Sequence, residues 1–389
     1  MTGAWPMATD TQATRKRNAQ IDTLRAVVLA GVIIVNMLTI SGLAYLTPDM
    51  RVDMLGALDL AMWRGIEVLL DGKALAAFSF MFGLSFGLIL HANRGADHVP
   101  RLLFLRRLLV LCAFGAFNAL FLFWADILMT YAVLGLILPL AARLPQRVLI
   151  GAGGGMIVAG PVVVAVGRFD PPVPVPQGHI DNLEAYASSQ YADTVSQNLQ
   201  MVLSAGDGID SLMLLRVFML SGLFLLGLAA ERLVRRGVLV AHRRMLLRWG
   251  ALLIALGFGV QMLPADAAGT AALRTLNAPL MALGYLLVLA RLLQGARSTW
   301  LLRALAPLGR MSLTGYLLSA ALGQAVFYGW GLQLIGSMGT VQVLLVALAI
   351  YGVLAGFAQI WFRHFVYGPW EWVWRSLTRF EMQPLQVAR

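Results

Sequence analysis

The chain has 389 residues, of which 59% are hydrophobic and only 13% charged, with a mean hydropathy of +0.75. A soluble domain carries about 25% charge, so a large soluble core is excluded. The formal net charge of +11 would suit nucleic acid, but the basic residues lie in short links at the ends of apolar runs, where lipid headgroups meet them. The lone cysteine, Cys112, excludes an intramolecular disulfide and a multi-thiolate metal site, and no other metal-ligand spacing is visible.

Residues 1–20 are polar and read as a disordered N-terminus carrying the first basic cluster, Arg15-Lys16-Arg17. The run that follows is too long for a signal-peptide core and lacks a small-residue cleavage site, so it reads as a retained span. Hydropathy predicts ten spans within a bundle over 21–366, at about 24–45, 74–91, 105–123, 127–142 and 148–167, then 212–233, 245–263, 271–292, 309–332 and 342–364. Lys and Arg gather in every second link. With the N-terminus inside, about 24 basic residues fall on the inner side and about 6 on the outer. The fold class is therefore an all-α polytopic membrane bundle with both termini cytoplasmic.

Two outer segments exceed a simple turn. Residues 46–73 have a helical apolar period through Met54, Leu58, Met62, Ile66 and Leu70, which predicts an amphipathic helix on the outer leaflet. Residues 168–211 open on the extended run Pro171 to Pro176, and a polar helix is expected over about 180–203. Glycine pairs four apart, Gly83/Gly87, Gly151/Gly155 and Gly352/Gly356, suit close helix packing. A C-terminal segment, 367–389, begins where Gly368-Pro369 breaks the last span. Its three tryptophans and the i, i+4 pair Glu371/Arg375 read as an interfacial anchor.

Polar residues at membrane depth are the candidates for chemistry. Asp22, Arg25 and Asn36 share one face of the first span, with Asn36 about 16 Å beyond Arg25. They line a pocket open to the cytoplasm, or form an ion pair plus a packing amide. Asp71 begins the second span on the outer side, and Asp126 is all that separates spans three and four. Each caps a helix or serves as an acid or base. Arg310 and Arg375 on inner segments suit a phosphate-bearing ligand such as a CoA thioester, or lipid headgroups. His179 alone among the histidines is outside. No phosphate loop or Ser-His-Asp pattern occurs.

Several motifs in order carry a resemblance. Ile21-Asp-Thr-Leu-Arg-Ala26, Asp71-Gly-Lys-Ala, Phe78-Ser-Phe-Met-Phe-Gly83, Trp124-Ala-Asp-Ile-Leu128, Gly309-Arg-Met-Ser-Leu-Thr-Gly-Tyr316 and Gly368-Pro-Trp-Glu-Trp-Val-Trp-Arg375 resemble the YeiB-like family of bacterial inner-membrane proteins. The opening motif is similar to that of integral-membrane acyltransferases. That resemblance implies transfer of an acyl group from a cytoplasmic thioester, with acyl-CoA as donor, to a lipid, glycan or small-molecule acceptor at the outer face. It places Asp22, Arg25, Arg310, Glu371 and Arg375 at the donor, and Asn36, Asn118, Asp71 and Asp126 at the chemistry. This chain has Asn36 and Asn118 where a histidine is usual, and Ala26 and Ala125 where glycine is usual. The base must then be Asp126, Asp71 or His179. The same polar stripe would equally serve a transporter or flippase of an amphipathic molecule or lipid.

Overall fold

The computed structural model describes residues 12–92, 101–167, 183–204, 211–236, 243–264, 268–295 and 298–386. Residues 1–11, His98, the proline run, His179 and His242 lie outside them. Among the described residues the secondary structure is helical, apart from one isolated bridge between Phe365 and Gln386. Helix is the form in which a chain this apolar satisfies every backbone group without water.

Seven stretches are long and apolar enough to cross a membrane: Ala19–Ile40, Ala57–His91, Leu103–Leu122, Gln146–Val166, Leu212–Arg235, Thr270–Leu292 and Thr340–Trp361. The expected ten resolve differently for a local reason in each case. Spans four and nine are short apolar helices, Leu128–Ala141 and Ser312–Phe327. The expected seventh span opens on Arg243, Arg244 and Arg248, whose charges dilute its apolar character. The outer segment before span two is helical as expected, α2 (Pro48–Met54) and α3 (Ala57–Leu69). It runs into α4 (Lys73–Ala92) through a three-residue turn in which Gly72 takes φ +71°. The polar helix expected near 180–203 is two pieces, Leu183–Ala187 and α10 (Tyr191–Ser204).

The first helix, α1 (Gln12–Ile40), is the centre of the bundle. Ala26, Leu29, Ile33 and Met37 on it are fully buried, and it packs against α4, α15 (Thr299–Arg310), α16 (Ser312–Phe327) and α17 (Thr340–Trp361). Lipid tails are as apolar as leucine, so the bundle gains from tight packing rather than from leaving water. Small residues provide it. A Cβ on Gly83 would meet the carbonyl oxygen of Phe224 at 2.1 Å, and one on Gly227 the carbonyl oxygen of Phe80, also at 2.1 Å. Of the spaced pairs read from sequence, Gly151, Gly155, Gly352 and Gly356 instead face open space. Spacing shows that two glycines share a helix face and leaves open whether that face meets a helix or lipid.

Candidate functional site

The helix of the third long apolar stretch, α5 (Arg101–Phe117), does not end in a simple hairpin. It widens into a π turn over Asn118–Leu122, and an irregular link over 123–127 leads to α6 (Leu128–Leu134). Widening frees backbone carbonyls that must find partners in an apolar setting. Asn198 Nδ2, on α10, donates to Leu120 O at 3.1 Å. The Tyr191 hydroxyl donates to Phe121 O, and Gln324 Nε2 on α16 donates to Leu122 O. The segment carrying α10 is thus built over the break, and an indole hydrogen bond of 3.2 Å from Trp124 Nε1 to Tyr45 Oη closes it further. Irregular backbone at membrane depth is tolerated where protein covers it or where it lines a cavity, and it marks functional sites.

The π turn directs Asn118 inward, where it is fully buried. Its Nδ2 donates to Asp126 Oδ1 at 2.8 Å and lies 3.4 Å from the Tyr316 hydroxyl. The other carboxylate oxygen, Asp126 Oδ2, accepts from Met129 N at 2.8 Å and so caps α6. The capping and chemical roles read for Asp126 therefore coexist in one side chain. Loss of water pushes the Asp126 carboxyl up from 3.8 to about 6, against the smaller opposing pull of the Met129 amide and Asn118. A carboxylate tuned to that range can take and return a proton near neutral pH. Asn118 Oδ1 has no hydrogen-bond partner, which leaves a buried acceptor beside the carboxylate. Gly115 lets the turn close, since a Cβ there would lie 2.7 Å from Asp126 Oδ2. Asn118, just past the end of α5, is about 16 Å along the helix axis from Arg107.

The C-terminal motif packs into this region. Trp370, at the start of α18 (Pro369–Arg379), has its ring 5.3 Å from that of Phe114 and 5.6 Å from that of Phe117, next to Asn118. Glu371 is expected to pair with Arg375, and it does not. Its Oε1 accepts from Leu313 N at 2.8 Å and Thr314 N at 3.2 Å, and its Oε2 accepts from the Thr314 hydroxyl at 2.6 Å. The carboxylate satisfies the orphan amides at the start of α16, which favours negative charge there. Burial still pushes its carboxyl above the usual range. Arg375 stacks 4.5 Å from the Tyr367 ring centroid instead. Replacing Glu371 with Leu leaves those amides unpaired and is expected to destabilise the fold by about 1–3 kcal/mol. Thermal unfolding in detergent measures it, with Glu371→Gln falling in between.

On α1, Arg25 Nη1 pairs with Asp22 Oδ1 at 2.8 Å and Arg25 Nη2 donates to Ser85 Oγ at 2.6 Å. Arg310 stacks 4.0 Å from the Phe362 centroid and donates to Val366 O. Arg107 stacks 4.0 Å from the Trp374 ring. The charges of Arg375, Arg25 and Arg379 all bear on Arg107, and that of Arg310 bears on Asp22. Segments distant in sequence therefore converge into one arginine-rich end. Ring stacking fixes a guanidinium's plane and leaves N–H edges for an anion.

Two sequence candidates stand apart. Asn36 is half-buried on α1, and Asp71 is exposed at the α3–α4 turn; no hydrogen bond links either to Asn118 or Asp126. Sequence reading passed over Tyr316, Arg107 and Asn198. Tyr316 ends the motif that begins at Gly309, which is the signal that points to it. Nothing in the sequence marks Asn198.

A family model described as a protein of unknown function (DUF418) matches residues 233–381, which include Arg310, Tyr316, Glu371 and Arg375. The chain is 28% identical over 397 residues to the uncharacterized protein YxaH of Bacillus subtilis (strain 168), covering 96% of each. It is 28% identical over 394 residues to the uncharacterized protein YeiB of Escherichia coli (strain K12), covering 93% of this chain and 96% of that one. An uncharacterized 39.9 kDa protein from the amylase 3′ region of Bacillus acidopullulyticus is 27% identical over 388 residues, covering 98% and 99%. The likeness to YeiB-like proteins read from the ordered motifs holds over nearly the whole chain.

Proposed function

We propose that this YeiB-like chain is a multi-pass protein of the bacterial inner membrane that transfers an acyl group from a cytoplasmic thioester to a lipid, glycan or small-molecule acceptor. In this reading the shorter or more charged helices Leu128–Ala141, Ser312–Phe327 and Arg243–Gln261 also cross, alongside the seven long stretches, which would give ten crossings and, by the bias of the basic links, two cytoplasmic termini. One observation carries the transfer reading. The Asn118–Asp126–Tyr316 cluster is two residues along α16 from Thr314, which Glu371 ties to the segment bearing Arg375.

In this reading Arg25, Arg310 and Arg375 hold the phosphates of an acyl-CoA donor, beside Asp22 and Glu371, which position α1 and α16. Asp126 accepts the proton of the acceptor hydroxyl, and that oxygen attacks the thioester carbonyl carbon. A C–O bond forms and the C–S bond breaks, and the proton passes from Asp126 to the departing thiolate. Asn118 holds Asp126 in place. Asn36 lines the path on α1. Asp126 is preferred over Asp71 as base because two hydrogen bonds hold it in a partly buried position, whereas Asp71 is exposed.

The test uses the full-length protein in nanodiscs with acyl-CoA and an Escherichia coli lipid extract. Release of free thiol and formation of an acylated product are expected, and Arg25→Gln or Arg310→Gln should raise the donor KM about tenfold. Absence of both thioester consumption and donor binding sinks the transfer reading. The interrupted helix at 118–127 favours a second reading, a transporter or flippase. Flux of an amphipathic substrate into proteoliposomes without thioester cleavage would establish it in place of the first.

A further inference from the structure

A second basic site lies away from the arginines around Arg25. The turn between α7 (Ile137–Ala141) and α8 (Gln146–Val166) meets the end of α11 (Ser211–Arg235) around a pocket of about 450 Å³, lined by Arg143, Arg232, Arg235 and Arg236. The pocket is built rather than a chance gathering of side chains. Arg232 Nη1 donates to Leu144 O at 2.8 Å and Nη2 donates to Ala142 O at 3.1 Å, so one guanidinium fixes the turn that carries Arg143. Arg235 pairs with the buried Glu231 at 3.2 Å, and Arg236 reaches Gln146 Oε1 at 3.5 Å. Among the described residues Glu231 is the one carboxylate bonded to these four arginines. Four cations with one counter-charge repel one another unless an anion joins them.

The pocket's position selects the anion's source. The apolar stretches Leu128–Ala141, Gln146–Val166 and Leu212–Arg235 all end at it, which puts it where hydrocarbon gives way to headgroups. Leading away from it, Val133, Leu136 and Leu140 lie at i, i+3 and i+7 and are 60%, 44% and 79% exposed, and Val148 on α8 is 47% exposed. A charged pocket continued by an apolar, outward-facing strip has the shape of a phospholipid: phosphate in the arginines, acyl chains along the strip. We propose that this junction binds the phosphate headgroup of an anionic phospholipid. Bound there, the lipid ties the α7–α8 turn to the end of α11.

The experiment purifies the full-length protein into detergent and measures retention by native mass spectrometry against defined lipids. Phosphatidylglycerol is expected to be retained and to raise the unfolding temperature, and phosphatidylcholine to do neither. The double variant Arg143→Gln/Arg236→Gln leaves Arg232 to hold the turn. It is expected to lose about tenfold in phosphatidylglycerol affinity, while Arg363→Gln, an exposed arginine elsewhere, loses none. Size-exclusion profile and helical content report whether the double variant is folded, and Arg143→Gln alone, with a smaller loss, serves if it is not. Equal retention of the two lipids overturns the proposal, as does a double variant that binds phosphatidylglycerol like the parent. Inorganic phosphate and ADP form the soluble arm. If either stabilises the protein through these arginines and phosphatidylglycerol does not compete, the site belongs to a soluble phosphate ligand and the lipid assignment is overturned.

Discussion

Replacing Asp126 with Asn is expected to lower acyl transfer by about 10²–10⁴-fold, the usual scale for removing a general base, while the protein still folds. Asn is close to Asp in size, and its Oδ1 can still accept from Met129 N, so the cap on α6 is kept. What is lost is the proton acceptor. In the parent protein the rate should rise with pH through about 6, where Asp126 deprotonates, and stay level above it. Stability carries the opposite sign. The folded carboxyl holds its proton up to about 6 and the unfolded one only to 3.8, so this residue's contribution is full at low pH and declines as pH rises through that window. Asp126→Asn removes both dependences. A variant with parental turnover across pH 5–8 would remove Asp126 from the chemistry. Asn118→Leu provides a second check, since it strips one hydrogen bond from the charged carboxylate and should move the pH midpoint upward.

The second large effect is on the fold. Gly309→Val is expected to prevent stable assembly, because a Cβ at that position would sit 1.7 Å from the carbonyl oxygen of Asp22 and 2.5 Å from its carbonyl carbon. Both are backbone atoms of the central helix and cannot rotate aside. Overpacking of flexible neighbours costs about 1–3 kcal/mol, and a rigid backbone contact should exceed that by forcing α15 off α1. The damage would fall on Asp22, Arg25 and Arg310 together, so donor binding should fail along with stability. Gly352→Val is the comparison: a Cβ there meets nothing within 4 Å, and the variant should keep its unfolding temperature to within a few degrees. Fluorescence-detected size exclusion after a heat step measures both. A monodisperse, heat-stable Gly309→Val would contradict the close contact.

Much of the organisation is legible in the sequence because its cause is local. Twenty apolar residues in a row have few alternatives to a helix in lipid, and basic links sort the helix ends by side. Polar residues inside apolar runs are costly, and that cost singled out Asp22, Arg25, Asn36 and Asp126, whereas Asn118 entered only through the family resemblance. The structure joins Asp22 to Arg25 and Asp126 to Asn118.

Other features are not local and were misread or unseen. Glu371 and Arg375 have the spacing of a helical ion pair, yet the carboxylate is taken by amides of residues 313 and 314, more than fifty positions away. Nothing in residues 118–127 shows that α5 widens into a π turn, or that Asn198, Tyr191 and Gln324 wait to bond its freed carbonyls. By itself the sequence determined the all-helical, membrane-like class and the rare polar residues, since each follows from the transfer cost of one short segment. Tertiary structure alone decided which of those residues meet, which glycines touch a neighbour, and how buried Asp126 becomes, because these depend on partners that only the packed bundle brings within reach.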